Sequence, residues 1–101
     1  MIVMINRFTL RPGTTAERFE ALFDKVSDLA LDHPGYLDHT FVRDQDDPTR
    51  YLNVARWESV EEYREFMKMD AHTAFYPEIL ALTEVSPALY ELQLEFDASA
   101  A

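Results

Sequence analysis

An α+β domain is what this sequence predicts: a four-stranded antiparallel sheet in the order β-α-β-β-α-β, with both helices on one face. Three observations carry that expectation. Strand-like runs open and close the chain. Two stretches of helical periodicity lie between them, each entered through a Ser/Thr-x-x-Glu spacing, and a polar turn containing proline separates the middle strands. The 101 residues are 48% hydrophobic and 28% charged, which fits a single small core. Residues 1–96 are expected to form that one domain, and residues 97–101, with nothing to pack against, a flexible tail.

The first strand, Ile2 to Leu10, is rich in β-branched and apolar residues, with Met4, Asn6, Phe8 and Leu10 on one face and Val3, Ile5, Arg7 and Thr9 on the other. Pro12 and Gly13 end it. Thr14 and Glu17 have the spacing of a capping box and should open a helix whose apolar stripe is Phe19, Leu22, Phe23, Val26, Leu29 and Ala30. His33-Pro34-Gly35 stops that helix, because proline disfavours helical geometry in the residue before it and glycine permits the turn. Tyr36 to Arg43 is the second strand. Asp44 to Arg50 is a polar connection, and Tyr51 to Trp57 is the third strand, with Tyr51, Asn53, Ala55 and Trp57 sharing a face. Ser59 and Glu62 repeat the capping box and open a helix that carries Tyr63, Phe66 and Met67 inward and ends near Asp70. From Ala71 to Thr83 a short helical segment is expected, broken or kinked at Pro77. In the last strand Ala88, Tyr90, Leu92, Leu94 and Phe96 alternate with Leu89, Glu91, Gln93 and Glu95.

This order is the ferredoxin-like arrangement. Its helices cover one sheet face only. The other face should carry large apolar groups such as Phe8, Trp57 and Leu92 or their strand neighbours, and a second copy of the chain is the simplest cover, so a homodimer is predicted. A cavity is expected beneath the paired sheets. A monomer with a partly bare sheet is the rival arrangement.

Composition removes several function classes. The net charge of −10 repels phosphate backbones and anionic lipid, so neither nucleic acid nor a membrane is an expected partner. No apolar run approaches the roughly 20 residues of a membrane span, and Asn6 and Arg7 interrupt the N-terminal apolar stretch, so a cytoplasmic protein is expected. Without cysteine there is no thiolate catalysis, cysteine-ligated zinc or iron–sulfur cluster. His33, His39 and His72 lack HxH or HExxH spacing, and no metal is expected. Gly13 and Gly35 are the only glycines, which leaves no phosphate-binding loop, and no GxSxG elbow occurs.

What remains is a constellation of polar-tipped side chains. Asn53 and Trp57 are four apart on a strand and share a face, and Tyr63 follows in the next helix. In an apolar cavity an amide, an indole N–H and a phenol can orient a phenolic guest and donate to a developing oxyanion. The plainer alternative is that Trp57 and Tyr63 are core aromatics with satisfied polar ends. Asn53 weighs against it, since a mid-strand amide needs partners when buried. Asn6 raises the same question on the first strand. His39 and His72 are candidate proton carriers near neutral pH, although structural roles are common for such residues.

At these residues the chain resembles the antibiotic biosynthesis monooxygenase (ABM) superfamily, whose members pair ferredoxin-like subunits into a dimeric α+β barrel. The marks are Leu10-Arg11-Pro12-Gly13 closing the first strand, His33-Pro34-Gly35-Tyr36, Trp57-Glu58-Ser59 entering a helix, and Asp70-Ala71-His72. Asn53, Trp57 and Tyr63 are similar to the pocket residues of its actinorhodin-type, anthrone-oxidising members. The resemblance implies oxidation of a phenolic, anthrone or quinol-type aromatic by O₂ to a quinone, without flavin, haem or metal, the substrate's own anion supplying the electrons. It casts Asn53 and Trp57 as holders of the oxyanion and Tyr63 as a proton relay; Asn6, His39, Phe66 and His72 are further candidate substrate contacts. It assigns no base: the family's pocket histidine has no secure counterpart near Val42 and Arg43, which leaves His39 and His72 as candidates. Haem-degrading relatives share the Asn6 position, but their helix tryptophan falls on Phe66, and His72 comes too soon after it to match their iron ligand. A haem-binding or haem-degrading protein is therefore the second enzyme reading. A noncatalytic binder of a planar hydrophobic metabolite is the third.

Overall fold

The computed structural model describes residues 1–98. Its elements are β1 (Ile2–Leu10), α1 (Ala16–Asp28), β2 (Tyr36–Arg43), β3 (Arg50–Trp57), α2 (Val60–Lys68), α3 (Asp70–Thr73), α4 (Tyr76–Leu82) and β4 (Thr83–Glu91). The strands form one antiparallel sheet in the order β2-β3-β1-β4, the ferredoxin-like α+β arrangement expected from the sequence. No helix among the described residues is long and apolar enough to cross a membrane.

The second N-cap forms as read: Ser59 is extended, and its hydroxyl oxygen accepts the Glu62 amide at 3.2 Å. The first shifts by one residue. The Thr14 amide donates to the Arg11 carbonyl at 3.0 Å and closes the preceding turn. Thr15 is left to take the extended cap conformation and to accept the Arg18 amide at 3.2 Å. Pro77 does not break a helix either. It sits in the first turn of α4, where a missing N–H costs no hydrogen bond, so residues 70–82 hold two short helices rather than one.

β4 begins earlier than the alternation suggested and stops at Glu91, because its partner strand ends: Ile2 opposite Glu91 is the final pair of the β1–β4 ladder. Leu94 and Phe96, expected within the strand, lie beyond it, largely exposed. Residues 99–101 of the expected tail lie outside the described residues.

The assignment of sheet faces needs one correction. Phe8 and Trp57 point to the helix side and are buried. The outer face carries their strand neighbours instead: Val3 and Ile5 from β1, Leu52 and Val54 from β3, Val42 from β2 and Tyr90 from β4. Arg56 borders this apolar strip, with its Nε donating to Asp38 at 2.9 Å.

On the helix side the core divides in two. Met4, Ala30, Ala55, Trp57, Tyr63 and Phe66 form one cluster, and Phe8, Phe19 and Tyr51 form the other. The Tyr51 hydroxyl donates to Glu20 at 2.6 Å and ties β3 to α1. Gly35 lets β2 start directly beneath α2, since a Cβ there would lie 2.3 Å from the Glu62 Cβ. Met4 and Phe8 flank Asn6 on β1, and Ala55 and Tyr51 flank Asn53 on β3, so a pair of amides marks the boundary between the clusters.

Candidate active site

At that boundary the chain forms a partly open cavity of about 310 Å³, near the lower end of the range for small-molecule sites. It lies between the sheet and the helices of one chain, not beneath paired sheets as expected. Asn6, Asn53 and the short Ala55 form the floor of this hollow in the middle of the helix-facing sheet.

Every residue singled out from the sequence lines this cavity: Asn53, Trp57 and Tyr63, together with Asn6, His39, Phe66 and His72. Asn6 and Asn53 are direct partners in the β1–β3 ladder. The carbonyl oxygen of each side chain is buried and finds no hydrogen-bond donor. A buried acceptor without a partner costs about 1–3 kcal/mol, so this is where a guest's hydroxyl gains most by binding. Trp57 stands at one end of the floor, its ring 5.8 Å from that of Tyr63 and 5.2 Å from that of Phe66. Burial, and secondarily Tyr76, pushes the Tyr63 phenol above its ordinary range, so its O–H stays a donor at neutral pH.

His72 packs between Phe66 and Tyr76, with ring centroids at 4.6 and 5.0 Å. Burial lowers its pKa and keeps the imidazole neutral, and its Nδ1 has no partner. His39, on β2, is different: its Nδ1 lies 2.7 Å from the Tyr36 hydroxyl. Tyr36 and Tyr76 also line the cavity, and the sequence reading gave neither a role. Tyr36 was legible as the first residue of a strand and the last of the His33-Pro34-Gly35-Tyr36 motif. Tyr76 lay in the segment whose periodicity Pro77 obscures.

The cavity wall holds no Asp, Glu, Lys or Arg among the described residues, so its polarity comes from neutral amides, phenols, an indole and imidazoles. One cluster of histidine and carboxylates lies elsewhere: His33, Glu62 and Glu65. The Gly35 amide donates to His33 Nδ1 at 3.1 Å, which leaves the ring proton on Nε2, 3.4 Å from Glu65. A metal on Nε2 would force that proton onto Nδ1, against the Gly35 N–H, so the cluster is an electrostatic contact between turn and helix rather than a ligand set. The haem alternative gains nothing from the geometry. The would-be axial ligand His72 is packed against Phe66, the residue at the tryptophan position of that pattern.

A small α+β sandwich with an amide-floored aromatic cavity defines a class of small-molecule enzymes and binders. The sequence profile of the antibiotic biosynthesis monooxygenase family matches residues 1–78, and the chain belongs to that family, whose enzymes are oxidoreductases of the monooxygenase type. Among its relatives is the deoxynogalonate monooxygenase of Streptomyces nogalater, 29% identical over 91 residues that make up 90% of this chain and 73% of the relative. The fold is similar to that of SnoaB, described as a cofactor-independent oxygenase from Streptomyces nogalater. The TM-score is 0.86 at 22% identity, over 93% of this chain and 94% of SnoaB. It is also similar to Rv0793 from Mycobacterium tuberculosis, with a TM-score of 0.84 at 16% identity over 95% of this chain and 98% of the other.

Proposed function

We propose that this chain is a cofactor-independent monooxygenase that oxidises a phenolic, anthrone or quinol-type aromatic with O₂ to a quinone. The observation that carries this reading is the pair of partnerless amide oxygens of Asn6 and Asn53, set beside Trp57 and Tyr63 in a cavity without charged walls. The two oxygens accept the hydroxyl of a planar, weakly acidic ring system, and the side-chain N–H and O–H groups of Asn53, Trp57 and Tyr63 are the neutral donors for its anion. The relative SnoaB is described as working without a cofactor, in keeping with the same chemistry here.

The reaction follows from what an anthrone anion can do. Loss of a proton makes it electron-rich, and it passes one electron to O₂. The resulting radical and superoxide join through a C–O bond, the peroxide takes up a proton, and loss of water leaves the new carbonyl. One oxygen atom ends in the quinone and the other in water. Asn53 and Trp57 hold the substrate oxyanion, and Tyr63 serves as proton donor to the peroxide. Each well-placed donor contributes roughly 3–4 kcal/mol of transition-state stabilisation.

A homodimer belongs to the same reading, closed over the outer strip of Val3, Ile5, Leu52 and Val54, since a contiguous apolar face of this kind is a usual interaction surface. So does a cytoplasmic location.

Oxygen uptake tests the proposal. A panel of anthrones and hydroquinones, with chelator present and no flavin or haem added, should give enzyme-dependent O₂ consumption. Quenching of Trp57 fluorescence without O₂ uptake across that panel would replace the enzyme by a binder of planar metabolites. A Soret shift that requires His72 would favour haem.

A further inference from the structure

Residues three apart on a regular strand face opposite sides of the sheet. Tyr36 and His39 nevertheless share one. The β2–β3 register runs from Tyr36 opposite Trp57 to Asp38 opposite Arg56 and His39 opposite Ala55, so Leu37 is an extra residue without a counterpart. This bulge turns Tyr36 onto the cavity side, where its hydroxyl meets His39 Nδ1 at 2.7 Å. Bulges recur beside active sites because they re-aim a side chain in this way.

We propose that Tyr36 and His39 together are the proton acceptor of the cavity. Tyr36 Oη takes the proton of the bound aromatic's hydroxyl, or of an anthrone methylene, while its own proton passes to His39 Nδ1. The products are a substrate anion and an imidazolium, and Tyr36 ends as it began. This inference rests on the reading above in one respect, that the guest is a weakly acidic aromatic.

Three features single out this pair. The cavity wall offers no carboxylate among the described residues, so a histidine is left as the group that can hold a proton. His72 is the competitor, but its ring is wedged between Phe66 and Tyr76 and its Nδ1 has no partner to pass a proton along. His39 has such a partner. It also stands opposite Ala55, one step along the ladder from Asn53, at the roughly 7–8 Å of a diagonal cross-strand pair. A ring spanning that gap reaches the phenol–imidazole pair at one edge and the amides at the other.

The charged groups bearing on the pair are Asp38 and its partner Arg56, behind it on the outer face. The neighbours Phe23 from α1 and Trp57 from β3 are uncharged. Burial, and secondarily Asp38, raises the Tyr36 phenol above its ordinary value, which suits a group that relays a proton rather than losing it.

Alizarin, a dihydroxyanthraquinone whose visible band moves to the red on ionisation, reports the transfer directly without turnover. On the wild-type chain, titrated over roughly pH 5 to 9, bound alizarin should ionise about 1–3 units below free alizarin. His39→Gln keeps a hydrogen-bonding side chain but cannot store the proton, and Tyr36→Phe removes the relay. Both should bind the dye with circular dichroism unchanged and lose most of that shift. His39→Gln should also erase the acid limb of the pH profile of kcat/KM with an anthrone. A folded His39→Gln that keeps the dye shift and the acid limb overturns the inference, as does a wild-type chain that fails to bind the ionised dye. A dye shift dependent on His39 with no anthrone oxidised would instead overturn the monooxygenase reading and leave the proton acceptor standing.

Discussion

Asn6 and Asn53 face one another across the β1–β3 ladder, and each buries a side-chain oxygen that no donor reaches. Between two apolar clusters this is a costly place for two amides. It is explained if both are kept for a guest, and the two explanations, function and packing, separate on mutation.

Asn53→Ala should lower kcat/KM by about 10²- to 10³-fold, the usual effect of deleting one oxyanion donor. Its melting temperature should stay level or rise, because the substitution removes a polar group whose buried oxygen has no hydrogen-bond partner. Thermal melts beside oxygen-electrode kinetics check this. A variant that loses stability while keeping turnover would make Asn53 a structural residue.

Trp57 combines packing with chemistry, touching Tyr36, Tyr63 and Phe66 edge-on or tilted. Trp57→Phe should therefore cost on the order of 1–2 kcal/mol of stability through lost volume, and in addition about 10- to 1000-fold in turnover through the lost indole N–H. Tyr63→Phe keeps the ring and removes only the hydroxyl, so its loss should fall on kcat alone. Urea melts paired with steady-state rates measure both. Full activity in folded Trp57→Phe would take the indole out of the mechanism.

Burial lowers the pKa of His72 below the ordinary histidine value of 6.5. The sign of the stability effect follows. Between the folded pKa and 6.5 the unfolded chain binds more protons than the folded one, so stability falls as pH drops through that window. The contribution is complete below the folded value. Tyr63 and Tyr76, both raised above 10.0 chiefly by burial, act at the other end: stability should fall as pH rises past 10.0. His72→Phe should flatten the acid slope. Chemical denaturation across pH checks it, and an unchanged slope in that variant would trace the acid sensitivity to other groups.

The outer face gives a test of association. Val54 sits in the middle of the strip formed with Ile5 and Leu52, and Val54→Asp would place a charge at the centre of the proposed dimer. Light scattering should find a dimer for the wild-type chain and a monomer for Val54→Asp. A monomeric wild type would remove the dimer from the account without touching the cavity, which lies within one chain.

Much of this was legible in the sequence, and the exceptions share a cause. Strict alternation grouped Asn6 with Phe8 on β1 and Asn53 with Trp57 on β3, though not which side of the sheet those faces take, and the Ser59 cap fixed the start of the helix that delivers Tyr63. Local rules were enough there. They failed where the outcome depended on a distant partner: β4 ends where β1 ends. The phenol–imidazole pair was hidden for the same reason. Its three-residue spacing places Tyr36 and His39 on opposite faces until the bulge at Leu37, a property of pairing with β3, brings them together.

The most direct test of the central claim is the fate of labelled dioxygen. Given an anthrone and isotopically labelled O₂, the chelator-treated protein should place one labelled atom in the quinone carbonyl and the other in water. Label entering the carbonyl from solvent water, or turnover that appears only when flavin or iron is added, would contradict it.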